Sequence, residues 1–155
     1  MNAIGLNNAQ SAELATKLNT LLSAYQVFYM NARGFHWNIK GEKFFELHLK
    51  FEELYNNIQL KVDEVAERIL TLGAQPLHTY SDYLAVSPIA PVSQVTDGRT
   101  AVAHILESLK TTLLLQRELL GLSANANDEG TNALMSDYVR EQEKLVWMYS
   151  AFLSR

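Results

Sequence analysis

The residues best able to do chemistry in this chain lie between positions 36 and 67: His36, His48, Glu52, Asp63 and Glu67, with Trp37 beside the first of them. Imidazole nitrogens and carboxylate oxygens are ligands for divalent transition metals. The chain has no cysteine, which excludes thiolate nucleophiles, disulfides, Cys-ligated zinc and iron–sulfur clusters. A ligand set poor in histidine and rich in carboxylate suits Fe(II) or Mn(II) better than structural zinc, because hard oxygen ligands leave positions open for oxidant and water.

Two helices must position these side chains. From Ser11 onward, Leu14, Leu18, Leu21, Tyr25, Phe28, Ala32 and Phe35 step by alternating fours and threes, one continuous apolar stripe on a helix running from about residue 9 to about residue 38. Asn38 and Gly41 suit its end. The same stepping through Leu47, Phe51, Leu54, Ile58, Val62, Val65, Ile69 and Leu72 predicts a second helix from about Glu42 to Gly73. With so short a link, the two are antiparallel neighbours.

All three prolines, Pro76, Pro88 and Pro91, fall between Gly73 and Asp97, where the periodicity breaks. A connection this long can run the length of a bundle and leave the third helix parallel to the second. Within it, Tyr80–Ala85 is expected to form a short helix. A third helix, about Asp97 to Leu122, carries Val102, Leu106, Leu109, Leu113 and Leu120. After the polar turn Asn125–Gly130, a fourth runs from about Asp128 to Leu153 with Leu134, Tyr138, Leu145, Met148 and Phe152, Glu141 interrupting the stripe. The fold class is all-α: a ferritin-like four-helix bundle with a long crossover between helices 2 and 3. Residues 1–155 form a single domain, 1–10 being a short N-terminal tail.

On the second helix, at 100° per residue, Glu52 lies about 40°, Asp63 about 60° and Glu67 about 100° from His48, so the four share a face. Along the axis, however, His48 and Asp63 are separated by about 22 Å, too far for one ion to bridge them. The set therefore divides into two half-sites, His48 with Glu52 and Asp63 with Glu67. Both His48/Glu67 and Glu52/Asp63 are centred between residues 57 and 58. Two copies of the helix packed antiparallel about a two-fold axis there would bring each histidine half-site against the other copy's acidic half-site. His36, near the end of the first helix, would join His48. The chain contains no Glu-x-x-His, the motif an intrachain di-iron site in a bundle uses.

In this layout the chain resembles the Dps family of mini-ferritins. The residues that carry the likeness are His36-Trp37, His48 twelve residues on, Glu52, and the run Asp63-Glu64-Val65-Ala66-Glu67-Arg68. The likeness extends through the proline-bearing crossover to the ending Trp147-Met148-Tyr149-Ser150-Ala151-Phe152-Leu153. It implies a hollow homododecamer with ferroxidase sites at its two-fold interfaces, oxidising Fe(II) with hydrogen peroxide or oxygen and storing Fe(III), a stress-protective role. It implies that His36 and His48 act from one subunit and Asp63 and Glu67 from its neighbour. Glu52 departs from the aspartate usual at its position. By analogy Trp37 is an electron donor in the oxidation, its alternative being an aromatic packed at a dimer contact, and Asp128 and Glu129 line a pore that admits iron. Acids in the first turn of a helix also simply complement its dipole.

Family members that bind DNA usually carry a lysine-rich tail. Here Met1–Gln10 has no lysine or arginine, the first 30 residues hold only Lys17, and Arg155 closely follows the fourth helix. A net charge of −4 offers no general attraction for nucleic acid. Direct DNA binding is therefore not expected. With 48% hydrophobic and 19% charged residues the composition is that of a soluble globular protein. No basic, apolar leader opens the sequence and no apolar run is long enough to span a membrane, so a cytoplasmic protein is expected. His78 and His104 do not fit the ligand spacing and read as structural or exposed; Glu13, Glu42, Glu46, Glu53 and Glu64 read as solvent-facing. The competing readings are a DNA-binding or structural shell with little iron oxidation, and a monomeric helical binding module.

Overall fold

The computed structural model describes residues 1–154 and consists of five helices: α1 (Asn8–Asn38), α2 (Phe44–Thr71), α3 (Tyr80–Val86), α4 (Gly98–Asn125) and α5 (Glu129–Leu153). The four long ones form the bundle, and α3 is the short helix of the crossover. The starts have local causes. The side chains of Asn7, Thr79, Asp97 and Asp128 each accept a hydrogen bond from the backbone N–H three residues on, satisfying a donor that the first turn leaves unpaired.

Gly41 (φ +110°) and Gly73 (φ +87°) turn the chain after α1 and α2 in the left-handed region. Helix α2 starts at Phe44, not Glu42, because the Gly41 turn is closed by a bond from Phe44 N–H to Gly41 O (3.1 Å). Helix α4 runs to Asn125, beyond the expected Leu122. There Asn127 takes the left-handed conformation (φ +56°) that lets the chain leave a helix and enter α5 two residues later. The N-terminal residues are pinned: Asn2 Nδ2 donates to Ser11 Oγ and to Leu72 O, while Asn2 Oδ1 accepts from the N–H of Ile4 and Leu6.

Side-chain pairs give the helix directions. His36 meets His48 and Tyr29 meets Tyr55, so α1 and α2 are antiparallel. Phe35 meets His104 and Tyr25 meets Gln116, so α1 and α4 are antiparallel too. Helices α2 and α4 are thus parallel, as the long crossover requires. Two asparagines of α1 hold that crossover. Asn31 donates to Ala90 O (3.0 Å) and accepts from Val92 N–H (2.9 Å); Asn19 accepts from Leu77 N–H (2.8 Å) and donates to Gln75 O (3.2 Å).

All seven residues of the expected α1 stripe are buried. On α2, Leu47, Phe51, Leu54, Ile58, Val65, Ile69 and Leu72 are buried and Val62 is half-buried. Of the expected α5 stripe, Tyr138 is buried, Leu134, Leu145 and Phe152 are half-buried against the core, and Met148 is the exposed member. The buried positions of α5 are Thr131, Met135, Tyr138, Gln142 and Tyr149. A polar residue, Gln142, occupies the core position next to Glu141. Its carbonyl accepts from Thr112 (2.8 Å) and Gln116 (3.0 Å), and its amide donates to Tyr25 Oη (2.6 Å). A fully bonded amide can be buried where an unpaired one could not. Burial pushes the Tyr25 and Tyr138 phenols well above their ordinary pKa, so both stay protonated.

Candidate metal centre

The five-residue link from Ile39 to Lys43 folds the end of α1 back on the start of α2 and sets His36 against His48. The rings stack with centroids 3.7 Å apart and planes 12° from parallel. Each Nδ1 faces the other residue's backbone carbonyl: His36 Nδ1 lies 2.6 Å from His48 O, and His48 Nδ1 lies 2.7 Å from His36 O. A carbonyl only accepts, so each Nδ1 carries a hydrogen and donates it. In the neutral rings the lone pair is then on Nε2, the tautomer a metal needs, held by the kind of bond that commonly orients ligating histidines. Phe44 stacks on His48 (4.9 Å, 22°) and Tyr55 stands edge-on to His36 (5.3 Å, 78°), closing the flanks of the pair.

Glu52 sits one turn beyond His48 and is half-buried; Asp63 and Glu67 are exposed near the other end of α2. None of the three carboxylates forms a side-chain hydrogen bond or ion pair among the described residues. Because α2 is continuous from Phe44 to Thr71, the axial separation of His48 from Asp63 stands at about 22 Å. Among the described residues no group of three or more histidines and acids converges within the chain. The structure brings His36 and His48 together and leaves Asp63 and Glu67 far from both.

Ile58, at the centre of the expected two-fold contact, turns into its own bundle and is buried. The outward face of α2 instead carries Phe45 (82% exposed), Leu49, Leu60 and Leu70 (58% exposed). Trp37, 57% exposed, lies under the guanidinium of Arg33 at 4.8 Å.

Asp128 is buried. Its carboxylate caps α5 through the backbone N–H and hydroxyl of Thr131 and takes a 2.6 Å ion pair from Arg68 Nη2. Glu129, next to it, is exposed. His104 stacks on Phe35, and His78 Nδ1 bonds to Pro76 O. Glu64, read as solvent-facing, also accepts from Tyr138 Oη (3.2 Å). Sequence reasoning passed over Arg33 and Tyr55. Their signal was position: Arg33 is one turn before His36 and Trp37, and Tyr55 is two turns after His48.

Comparison with known proteins places this geometry. Residues 15–155 match the family described as Ferritin-like domain. A DNA protection during starvation protein from Porphyromonas gingivalis is 37% identical over 155 residues, covering 100% of this chain and 98% of that protein. The crystal structure of the Dps protein from Vibrio cholerae O1, described as a member of a broad superfamily of ferritin-like diiron-carboxylate proteins, superposes with a TM-score of 0.98. It is 55% identical, over 99% of this chain and 97% of that one. Dps from Staphylococcus aureus gives a TM-score of 0.90 at 29% identity, over 93% and 97% of the two chains. No helix among the described residues is long and apolar enough to cross a membrane.

Proposed function

Since the chain belongs to the ferritin-like family and, within it, to the Dps proteins, we propose that it is a ferroxidase and iron-storing mini-ferritin. Fe(II) is its substrate and hydrogen peroxide, or oxygen, the oxidant. Two Fe(II) give one electron each to a peroxide molecule, its O–O bond breaks, and two protons from solvent complete two waters. Hydroxyl radical is thereby avoided, and Fe(III) is retained inside a hollow dodecamer.

The observation that carries this reading is the reciprocal bonding of His36 and His48. Both imidazoles have Nδ1–H committed to a backbone carbonyl, which leaves both Nε2 atoms unused by the backbone. The free carboxylates of Asp63 and Glu67 complete the ligand set from a neighbouring subunit, with Glu52 beside them. Phe45 and Leu70 support the two-fold arrangement. Both are exposed apolar side chains, and they are equidistant from the midpoint that relates His48 to Glu67 and Glu52 to Asp63. Antiparallel packing of α2 on a second α2 would cover these rings and aliphatic groups while assembling two identical sites.

Trp37, beside His36, serves as an accessory electron donor. Asp128 holds the corner between α2 and α5, from which the exposed Glu129 offers a carboxylate to incoming cations.

The test is anaerobic loading with Fe(II) followed by peroxide, with ferric absorbance read in wild type and His48→Ala. Catalysed oxidation in the wild type and its loss in the variant are expected. Uncatalysed rates in both would overturn the reading, and so would a wild-type protein that elutes as a monomer.

A further inference from the structure

Near the histidine pair, Arg33 is a cation whose bonding is incomplete. Its guanidinium lies over three rings at once, Trp37 at 4.8 Å, Tyr55 at 5.0 Å and Tyr29 at 5.6 Å, and Nη1 donates to Tyr29 Oη at 2.8 Å. The cage fixes the cation and supplies π-faces, but no anion. Among the described residues no carboxylate comes within ion-pair distance of it. Its Nε is buried and has no hydrogen-bond partner. The buried Nε is closed to outside groups, but a half-buried guanidinium with no counter-charge is unfavourable in a lone chain, and its accessible part is open to an external acid.

The register says which acid. His36 opposes His48 and Tyr29 opposes Tyr55, so between them Arg33 falls level with Phe51 and Glu52 on α2. Glu52 is close in level yet does not pair with it. In the two-fold arrangement, the residue of a second α2 that stands level with Glu52 is Asp63. Asp63 is exposed and its carboxylate has no partner of its own among the described residues.

We infer that Arg33 pairs across the two-fold axis with Asp63 of the partner subunit and is a positioning residue of the metal site, an inference that rests on the two-fold reading above. The planar, rigidly caged fork takes one oxygen of the carboxylate and leaves the other for the metal, which fixes the ligand's rotamer before iron arrives. The pair also neutralises two charges that would otherwise be buried alone when the subunits meet. Each two-fold contact contains it twice.

The experiment is a charge exchange read by the oligomer's dissociation concentration in analytical ultracentrifugation. Arg33→Asp and Asp63→Arg, taken singly, set like charges against each other and loosen assembly. The double variant restores the pair in reverse and is expected to associate at least about tenfold more tightly than the two single effects multiplied together. A double variant whose coupling, measured against that product, is below about threefold overturns the pairing, since a merely structural role for either residue gives no rescue. If circular dichroism shows that a reversed variant has lost helicity, the same cycle with Arg33→Gln and Asp63→Asn decides, and a coupling below about threefold refutes the pair. Wild-type assembly and the His48→Ala result are measured in parallel. If they hold while the cycle shows no coupling, only the role of Arg33 fails; if they fail, the two-fold site itself does.

Discussion

If each metal site is built from two chains, two inactive variants must repair each other. His48→Ala destroys the histidine half-site of its own chain and leaves its acidic half intact. Asp63→Asn with Glu67→Gln does the reverse. Each homo-oligomer has only broken sites, and loss of direct ligands should cost about a hundredfold or more in rate, beyond the 10–100-fold typical of the residues that merely support ligands. When the two chains are unfolded together and refolded in equal amounts, about half of the two-fold pairs are mixed. A mixed pair has one site with both halves broken and one with both halves wild type. About a quarter of all sites are therefore restored, and peroxide-driven ferric absorbance should recover to about a quarter of the wild-type initial rate. The magnitude follows from His48 and Asp63 being about 22 Å apart on one continuous helix, which no single ion spans. A site made within one chain predicts no recovery at any mixing ratio. Refolded mixtures of the wild-type size that stay at the level of the two parents would refute the two-chain site.

Other consequences concern the scaffold, and all are to be compared at one protein concentration because assembly adds to apparent stability. Arg68→Ala should cost about 3 kcal/mol in denaturant unfolding, because it leaves the buried Asp128 carboxylate without its cation. A Cβ added at Gly130 would lie 2.7 Å from Arg68 Nη1, so Gly130→Ala should destabilise by about 1–2 kcal/mol, even though alanine ordinarily favours a helix by about 1. Lys61 is buried with Nζ 2.9 Å from Glu141 and 2.7 Å from Asn57. Glu141→Leu should cost about 2 kcal/mol, less than for a sealed pair because Glu141 is partly exposed, and adding Lys61→Met should recover most of it. Thr100 bonds to Asp97 through hydroxyl and backbone and holds its carboxyl below the ordinary carboxylate range. The folded state therefore binds that proton less readily than the unfolded one. The Asp97 contribution is complete above the ordinary range and fades as pH falls through the lowered value, so the melting-temperature gap between wild type and Asp97→Ala should narrow in acid.

The sequence by itself determined the helices and the division of the ligands. The α1 stripe and Gly41 and Gly73 are local signals, and helical rise alone separates His48 from Asp63, whatever the helix packs against. What it could not show was which polar residues turn inward. Glu141 reads as the break in the α5 stripe and nothing singles out Gln142 beside it, because only a three-dimensional neighbourhood reveals that Thr112, Gln116 and Tyr25 satisfy that amide. Asn19 and Asn31 likewise become anchors only once the crossover lies against α1. The tautomer of the histidine pair depends on two carbonyls twelve residues apart in the chain, and the incompleteness of Arg33 on three rings from two helices. Apolar periodicity is a property of one helix and survives in one dimension. Hydrogen-bond satisfaction belongs to pairs of elements, so it was decided only when the tertiary structure brought them together.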